Sequence, residues 1–309
     1  MGTLALALCA ASAAASSLVA SNALGGAQTT DSDLERASGS RTVAVGRVPG
    51  GDVSTFPLEL YVARVLAGEG EPGAADATQQ ALAIAIRTYA LFNARRHGRD
   101  GFDLCDTTHC QVLRAATAGS RRAALETAGR VLIYNGAPAE IFYSASCGGR
   151  SETASNVWPT ANLPYLQSHE DDVHADDEPW TLELTLAGLQ DILRRHGFEG
   201  TLRDVEVTAR TESGRVAQLR LSGLTPGEMG GPAFRLAIGA GDLRSTAFSV
   251  TRGGRTLRFV GRGYGHGVGM CVIGAGRRAR RGESAETILA HYYPGLVVAT
   301  LAGAPARER

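Results

Sequence analysis

Charge of one sign is what this sequence most clearly lacks. Lys and Arg number 31 and Asp and Glu 31, so no long-range field draws the chain to nucleic acid or to an anionic membrane surface. Aromatic residues make up 6% of the chain, too few for a platform on which bases stack. Nucleic acid is therefore not an expected partner. No internal repeat is visible. The one apolar N-terminal run is interrupted by Ser and Asn, which argues against a stable membrane span.

What residues 1–28 do have is an Ala-rich apolar stretch, "MGTLALALCAASAAASSLVASNALGGAQ", followed by small residues and lacking only a basic start. It reads as a secretory signal segment, so the expected location is the periplasm or cell envelope. Leu8 is too large to precede a lipoprotein cysteine at Cys9. Four cysteines remain after the leader, Cys105, Cys110, Cys147 and Cys271. In an exported chain an even count invites disulfides, with three pairings open. Residues 29–41 are polar and read as a linker, and residues 301–309 as a tail.

From Pro57 onward a helical stripe appears. Leu58, Tyr61, Val62, Val65, Leu66 and Glu69 share one face, with Pro57 in the first turn and Ser54 or Thr55 as candidate caps. Gly68 and Gly70 weaken the helix end, and Pro72 forbids its continuation. Glu69 thus ends an apolar stripe, while Glu71 falls beyond it. A second helix is expected over about 75–96. It is apolar almost all round, the mark of a buried helix, except at Arg87. That charge needs a carboxylate near the end of the previous helix, or backbone carbonyls. "ETAGRVLIYNG" predicts a short helix end, a strand and a turn at Asn135-Gly136, with "AEIFYSAS" as the partner strand. Residues 181–260 read as a mixed insert: a helix stopped by Gly197, a hairpin turning at Ser213-Gly214 and another at Gly253-Gly254. "SAETILAHYY" closes as a helix.

Four constellations carry possible chemistry. A carboxyl on an apolar face loses hydration when ionised, its pKa rises, and it can serve as general acid and then base. Glu69 has that position, though a solvated helix end would look the same. Cys105, His109, Cys110 and His97 form a complete tetrahedral zinc set of structural type, against which stands an oxidised Cys105–Cys110 loop. "GRGYGHGVGMCVIGAG", residues 261–276, surrounds His266 with glycines; it lacks the Lys-Ser/Thr ending of a phosphate loop. His266 is open to acid–base, substrate-contact or plain structural roles. Cys147 beside Gly148-Gly149 could be a thiol nucleophile with His266, or the partner of Cys271.

The stretches "LELYVARVLAGE", "IRTYAL", "CDTTHCQV", "ETAGRVLIYNG", "FYSASCGGRSETASNVW", "LPYL", "GYGHGVGM" and "ILAHYYPG" occur in this order from about Pro57 to Gly295. Together they resemble the stage II sporulation protein D / amidase-enhancer family. The resemblance implies a single mixed α+β domain, residues 42–300, whose inserted α/β subdomain at about 181–260 helps form a cleft over Glu69. It implies a lytic transglycosylase that cuts peptide-free peptidoglycan strands between N-acetylmuramic acid and N-acetylglucosamine. The alternative is a non-catalytic, glycan-binding enhancer of a wall amidase. The family's catalytic glutamate ends a V-A-x-E segment and lands on Glu69. Tyr143, Ser146 and His266 match cleft positions and are expected to contact glycan with Arg87. Cys105, His109 and Cys110, with His97, are the expected ligands of a structural zinc. The chain departs from the family where Met-Pro usually follows the Glu, where a helix glutamine is Leu82, and where two serines are Cys147 and Cys271. The last pair suggests a Cys147–Cys271 disulfide.

Overall fold

The computed structural model describes residues 28–47, 51–172 and 178–301. Apart from Gln28 the expected signal segment lies outside the described residues, as does the tail after Leu301. No described helix is long and apolar enough to cross a membrane.

The expected linker is instead a helix, α1 (Asp31–Ser38). Thr30 and Asp33 cap each other's backbone N–H groups, which satisfies two of the donors a helix start leaves open. Leu34 is wholly buried. Ser38 donates to the Leu34 carbonyl and accepts from the Glu59 N–H. One buried leucine and a reciprocal cap thus order a segment whose composition reads as solvated.

Strands β1 (Thr42–Gly46) and β2 (Val53–Pro57) pair antiparallel, Thr42 opposite Pro57. Helix α2 (Leu58–Glu69) follows with no turn between. Ser54 and Thr55 are strand residues rather than caps, and Pro57 flanks the helix without a side-chain cap. The Leu58 N–H is satisfied by the Arg41 carbonyl.

Helix α3 (Asp76–Phe92) ends four residues earlier than expected. Every residue from Ala81 to Ala90 is buried, because α2, α4 (Ala118–Glu126), β4 (Arg130–Tyr134), α7 (Val272–Arg280) and α8 (Ala285–Tyr292) all pack on it. Between α3 and α4 a two-residue strand, β3 (Leu104–Cys105), adds parallel to β1. Asn135 and Gly136 both take positive φ, giving the tight turn into β5 (Ala137–Pro138). The expected long partner strand does not form. After β5 the chain leaves β4 and enters β6 (Tyr143–Ser144), whose partner lies beyond the insert.

The insert runs β7 (Trp180–Thr185), α5 (Leu186–Arg194), β8 (Glu199–Arg210), β9 (Val216–Thr225), β10 (Glu228–Gly230), α6 (Gly231–Ile238), β11 (Phe248–Gly253) and β12 (Thr256–Gly261). Two antiparallel sheets, β10-β9-β8 and β11-β12-β7, enclose their own apolar cluster around Leu189, Leu219, Phe234 and Phe259. The rest of the described chain shares a second cluster centred on α2 and α3. The structure is α+β, with helices gathered on small, mostly antiparallel sheets.

The chain returns through the glycine-rich loop to β13 (Met270–Cys271), parallel to β6, then α7 (Val272–Arg280), α8 (Ala285–Tyr292) and β14 (Val297–Thr300), which pairs with β4. The β6–β13 pair matters most for function. It sets residues 143–148 and 262–271 side by side, with Tyr143 linked through Gln111 to Tyr61 of α2.

Candidate functional site

The end of α2 is shaped by a contact that only glycine permits. A Cβ on Gly68 would overlap the Val112 carbonyl, so residues 111–114 can lie flat against the helix. The Val112 N–H then donates to Glu69 Oε1 at 2.8 Å. Burial pushes the Glu69 carboxyl above its usual 4.5, and the Val112 N–H and nearby Arg114 only partly oppose the rise. Glu69 is partly exposed, fixed by one backbone donor, and holds its proton more tightly than a solvated glutamate does. Glu71 is exposed, its carboxylate beside Gly276 of α7.

A chain of hydrogen bonds ties α2 to β6. Tyr61 on α2 donates to Gln111 Oε1, and Gln111 Nε2 donates to Tyr143 Oη, each at 2.7 Å. Burial and the Glu69 carboxylate raise the Tyr143 phenol well above its ordinary value, so it remains a neutral donor beside Glu69.

His266 packs beside β6, against Phe142 and Trp158. Its Nδ1 accepts the Val268 N–H at 3.0 Å, which places the imidazole proton on Nε2. Burial, and then the positive charges of Arg235 and Arg215, push its pKa down to about 3, while the Tyr143 carbonyl works the other way. The ring is thus neutral. Trp158 meets it edge-on at 4.8 Å and stacks on Phe142 at 4.2 Å. Ser146 exchanges both backbone hydrogen bonds with Tyr264, and Tyr264 is 48% exposed. The insert reaches this wall too. Arg215 donates to the Cys147 carbonyl at 2.6 Å, and its guanidinium occupies the space a Cβ on Gly267 would need. The Glu152 carboxylate accepts from Thr211 and Ser213 of the insert.

Arg87 is not a cleft residue. It is 0% exposed, paired with the equally buried Glu59 from the first turn of α2 rather than with a carboxylate at the helix end. Its remaining donors reach the Arg130 carbonyl at 2.9 Å and the Ala124 carbonyl at 3.2 Å. The Gly129 N–H completes the Glu59 shell at 3.0 Å. The glycan-contact expectation is corrected: a guanidinium whose donors are spent inside the core has none to offer a ligand.

His97, Cys105, His109 and Cys110 do converge, their ligand atoms all within 4.8 Å of one another. His97 Nε2 lies 3.4 Å from Cys110 Sγ, and His109 Nδ1 3.5 Å from both sulfurs. Cys105 and Cys110 are free thiols, not an oxidised loop. Two sulfurs and two imidazole nitrogens suit a tetrahedral zinc-class ion. Asp100 sits 3.1 Å from His97 Nδ1, the outer carboxylate that commonly orients a ligating histidine. The same loop carries Gln111 and Val112, so whatever holds residues 105–110 also holds Glu69.

Cys147 and Cys271 are adjacent but are free thiols, so the expected disulfide is corrected. The Cys147 thiol is turned to Asp171, with Sγ 3.4 Å from Oδ2. It is buried, held well above its usual value by the Cys271 contact and by burial, and does not meet His266. A thiol nucleophile there is corrected as well.

Gln111, Val112, Glu59, Arg215 and the Phe142–Trp158 pair escaped sequence reasoning. Gln111 and Val112 directly follow Cys110, and Trp158 is one of two tryptophans in the chain. Those were the available signals.

Known sequences are similar to this chain over the segments that build the site. A family model described as Stage II sporulation protein matches residues 51–134, and one described as a domain of unknown function (DUF8618) matches residues 178–269. The chain is 28% identical over 275 residues to stage II sporulation protein D of Bacillus amyloliquefaciens, covering 82% of this chain and 78% of that protein. It is 27% identical over 250 residues to an uncharacterized protein of Brachyspira hyodysenteriae, covering 79% and 67%. To the amidase enhancer of Bacillus subtilis it is 28% identical over 268 residues, 70% of this chain but 37% of that protein. The first matched segment contains Glu69 and all four convergent Cys and His residues, and on these matches the chain is a relative of the stage II sporulation protein D / amidase-enhancer family.

Proposed function

We propose that this protein is an exported lytic transglycosylase acting on peptide-free peptidoglycan strands in the periplasm or cell envelope. The observation that carries the reading is Glu69: a half-buried carboxyl with a raised pKa, held by one backbone donor, with the neutral Tyr143 phenol close enough to feel its charge. Such a group can lend a proton and take one back.

In the proposed reaction Glu69 donates its proton to the oxygen bridging N-acetylmuramic acid and N-acetylglucosamine as that bond breaks. The resulting carboxylate removes the proton of the muramic acid 6-hydroxyl, whose oxygen bonds to the anomeric carbon. A 1,6-anhydro end results, and Glu69 is protonated again. One carboxyl suffices because the attacking group belongs to the substrate. Tyr143, Ser146 and His266 are assigned to glycan contact. The His97, Cys105, His109 and Cys110 set would hold a structural zinc, which supplies no chemistry to the reaction and fixes the loop bearing Gln111 and Val112.

The test is incubation with peptide-stripped glycan and mass spectrometry for 1,6-anhydro ends. Products undiminished in Glu69→Gln would remove the assigned acid. A second reading is favoured by the amidase-enhancer relative: binding to the same glycan in support of an amidase. It predicts retained glycan binding with no anhydro product.

A further inference from the structure

We propose that Cys147, Asp171 and Cys271 form a second metal site, distinct from the His97–Cys110 cluster, which takes a zinc-class divalent cation. Their ligand atoms lie within 4.8 Å of one another. The Cys147 Sγ to Asp171 Oδ2 distance is 3.4 Å. A tetrahedral ion bonded to one sulfur and one carboxylate oxygen would set those atoms about 3.5 Å apart.

The surroundings fit anionic ligands. Cys271 Sγ accepts two backbone N–H groups, from Cys147 and from Gly274, each at 3.3 Å. Cys271 also flanks the first turn of α7, where helix N–H groups favour negative charge. Tyr292 donates its phenol to Asp171 Oδ2 at 2.8 Å, an outer hydrogen bond of the kind that orients a ligating carboxylate. A Cβ on Gly274 would overlap both the Tyr292 hydroxyl and the Asp171 carboxylate. The helix therefore keeps a glycine where this carboxylate needs room. Arg215 brings a buried positive charge to the Cys147 carbonyl. Both cysteines are only 3% exposed, so the ion would be shielded from bulk solvent. It would tie residues 143–150, the segment after Glu170 and the start of α7 into one corner of the cleft wall.

The full chain is to be purified, its zinc counted by plasma mass spectrometry, and its cobalt-exchanged form examined for thiolate-to-metal charge-transfer absorption. The paired variant Cys147→Ser/Cys271→Ser, folded as judged by circular dichroism, is expected to lose one metal equivalent relative to the parent. It should lose roughly half of the charge-transfer intensity, since half of the thiolates are removed. Asp171→Asn, which keeps the shape and removes the anion, is the second variant. It is expected to keep the thiolate band while weakening metal retention against a chelator. A metal count and a cobalt spectrum unchanged in all these variants would overturn the proposal. So would peptide mapping of the unreduced parent that finds Cys147 joined to Cys271.

Discussion

Glu69 Oε1 and the Val112 N–H, 43 residues apart in the chain, meet at 2.8 Å. This bond fixes a carboxyl that would otherwise end a frayed helix, and among the described residues the second carboxyl oxygen accepts no hydrogen bond. Glu69→Gln keeps the acceptor and removes the exchangeable acid. It is expected to cut turnover by about 10²–10⁴-fold with little change in glycan affinity, measured by anhydro-product formation and equilibrium binding.

The raised Glu69 carboxyl fixes a pH dependence. The protonated form is the one the fold prefers, so its stability contribution is full below the usual value of 4.5 and lost as pH rises through the higher folded value. Activity needs the same proton and should fall along the same limb. Compared with Glu69→Gln, the wild type should become progressively less stable above pH 4.5 and then level off. A difference in melting temperature independent of pH would refute this.

Arg87 and Glu59 are buried without solvent contact. Removing one partner strands the other's charge, at a cost of about 3–5 kcal/mol, whereas replacing both by apolar residues is often close to neutral. Arg87→Met is therefore expected to unfold at markedly lower denaturant concentration, and Glu59→Leu/Arg87→Met to recover most of the loss. Chemical denaturation of the four-member cycle measures the difference.

Asp100 touches His97 but is not itself one of the four convergent donors. Asp100→Ala should weaken zinc retention by about 10–100-fold with all four ligands present, read by competition with a chromogenic chelator. The loop carrying Val112 should loosen with it, weakening the one hydrogen bond that opposes the rise of the Glu69 pKa and so raising the apparent pH at which the Glu69-dependent activity declines.

His266 owes its low pKa of about 3 first to burial. Because the folded value lies below the ordinary 6.5, the stability this ring contributes is present at neutral pH and lost as pH falls from 6.5 toward 3. Its imidazole signals should not titrate over roughly pH 5–8. In Trp158→Ala, which uncovers the ring, the pKa should climb toward 6.5, as followed by nuclear magnetic resonance.

Local pattern carried the fold a long way. The α2 stripe ending at Glu69, the buried α3, the Asn135-Gly136 turn and both insert hairpins follow from spacing and turn chemistry, which act within a few residues. The misreadings share one cause. α1 depends on Leu34 finding a pocket between distant segments, β6 depends on β13 some 127 residues away, and the partner of Arg87 depends on which turn of α2 faces it. For the site, the residue types pointed to Glu69 and to the Cys and His cluster. The groups that fix their geometry, Val112, Gln111 and Arg215, are ordinary in sequence and gain a role only by proximity.

Trp180 and Gly261, the first residue of β7 and the last of β12, are direct partners in the same sheet. The chain thus leaves and re-enters the α2–α3 body at a single point. A unit attached in this way can be shortened, enlarged or exchanged without re-threading the rest. Evolution can therefore reshape the insert while the body that carries Glu69 stays as it is.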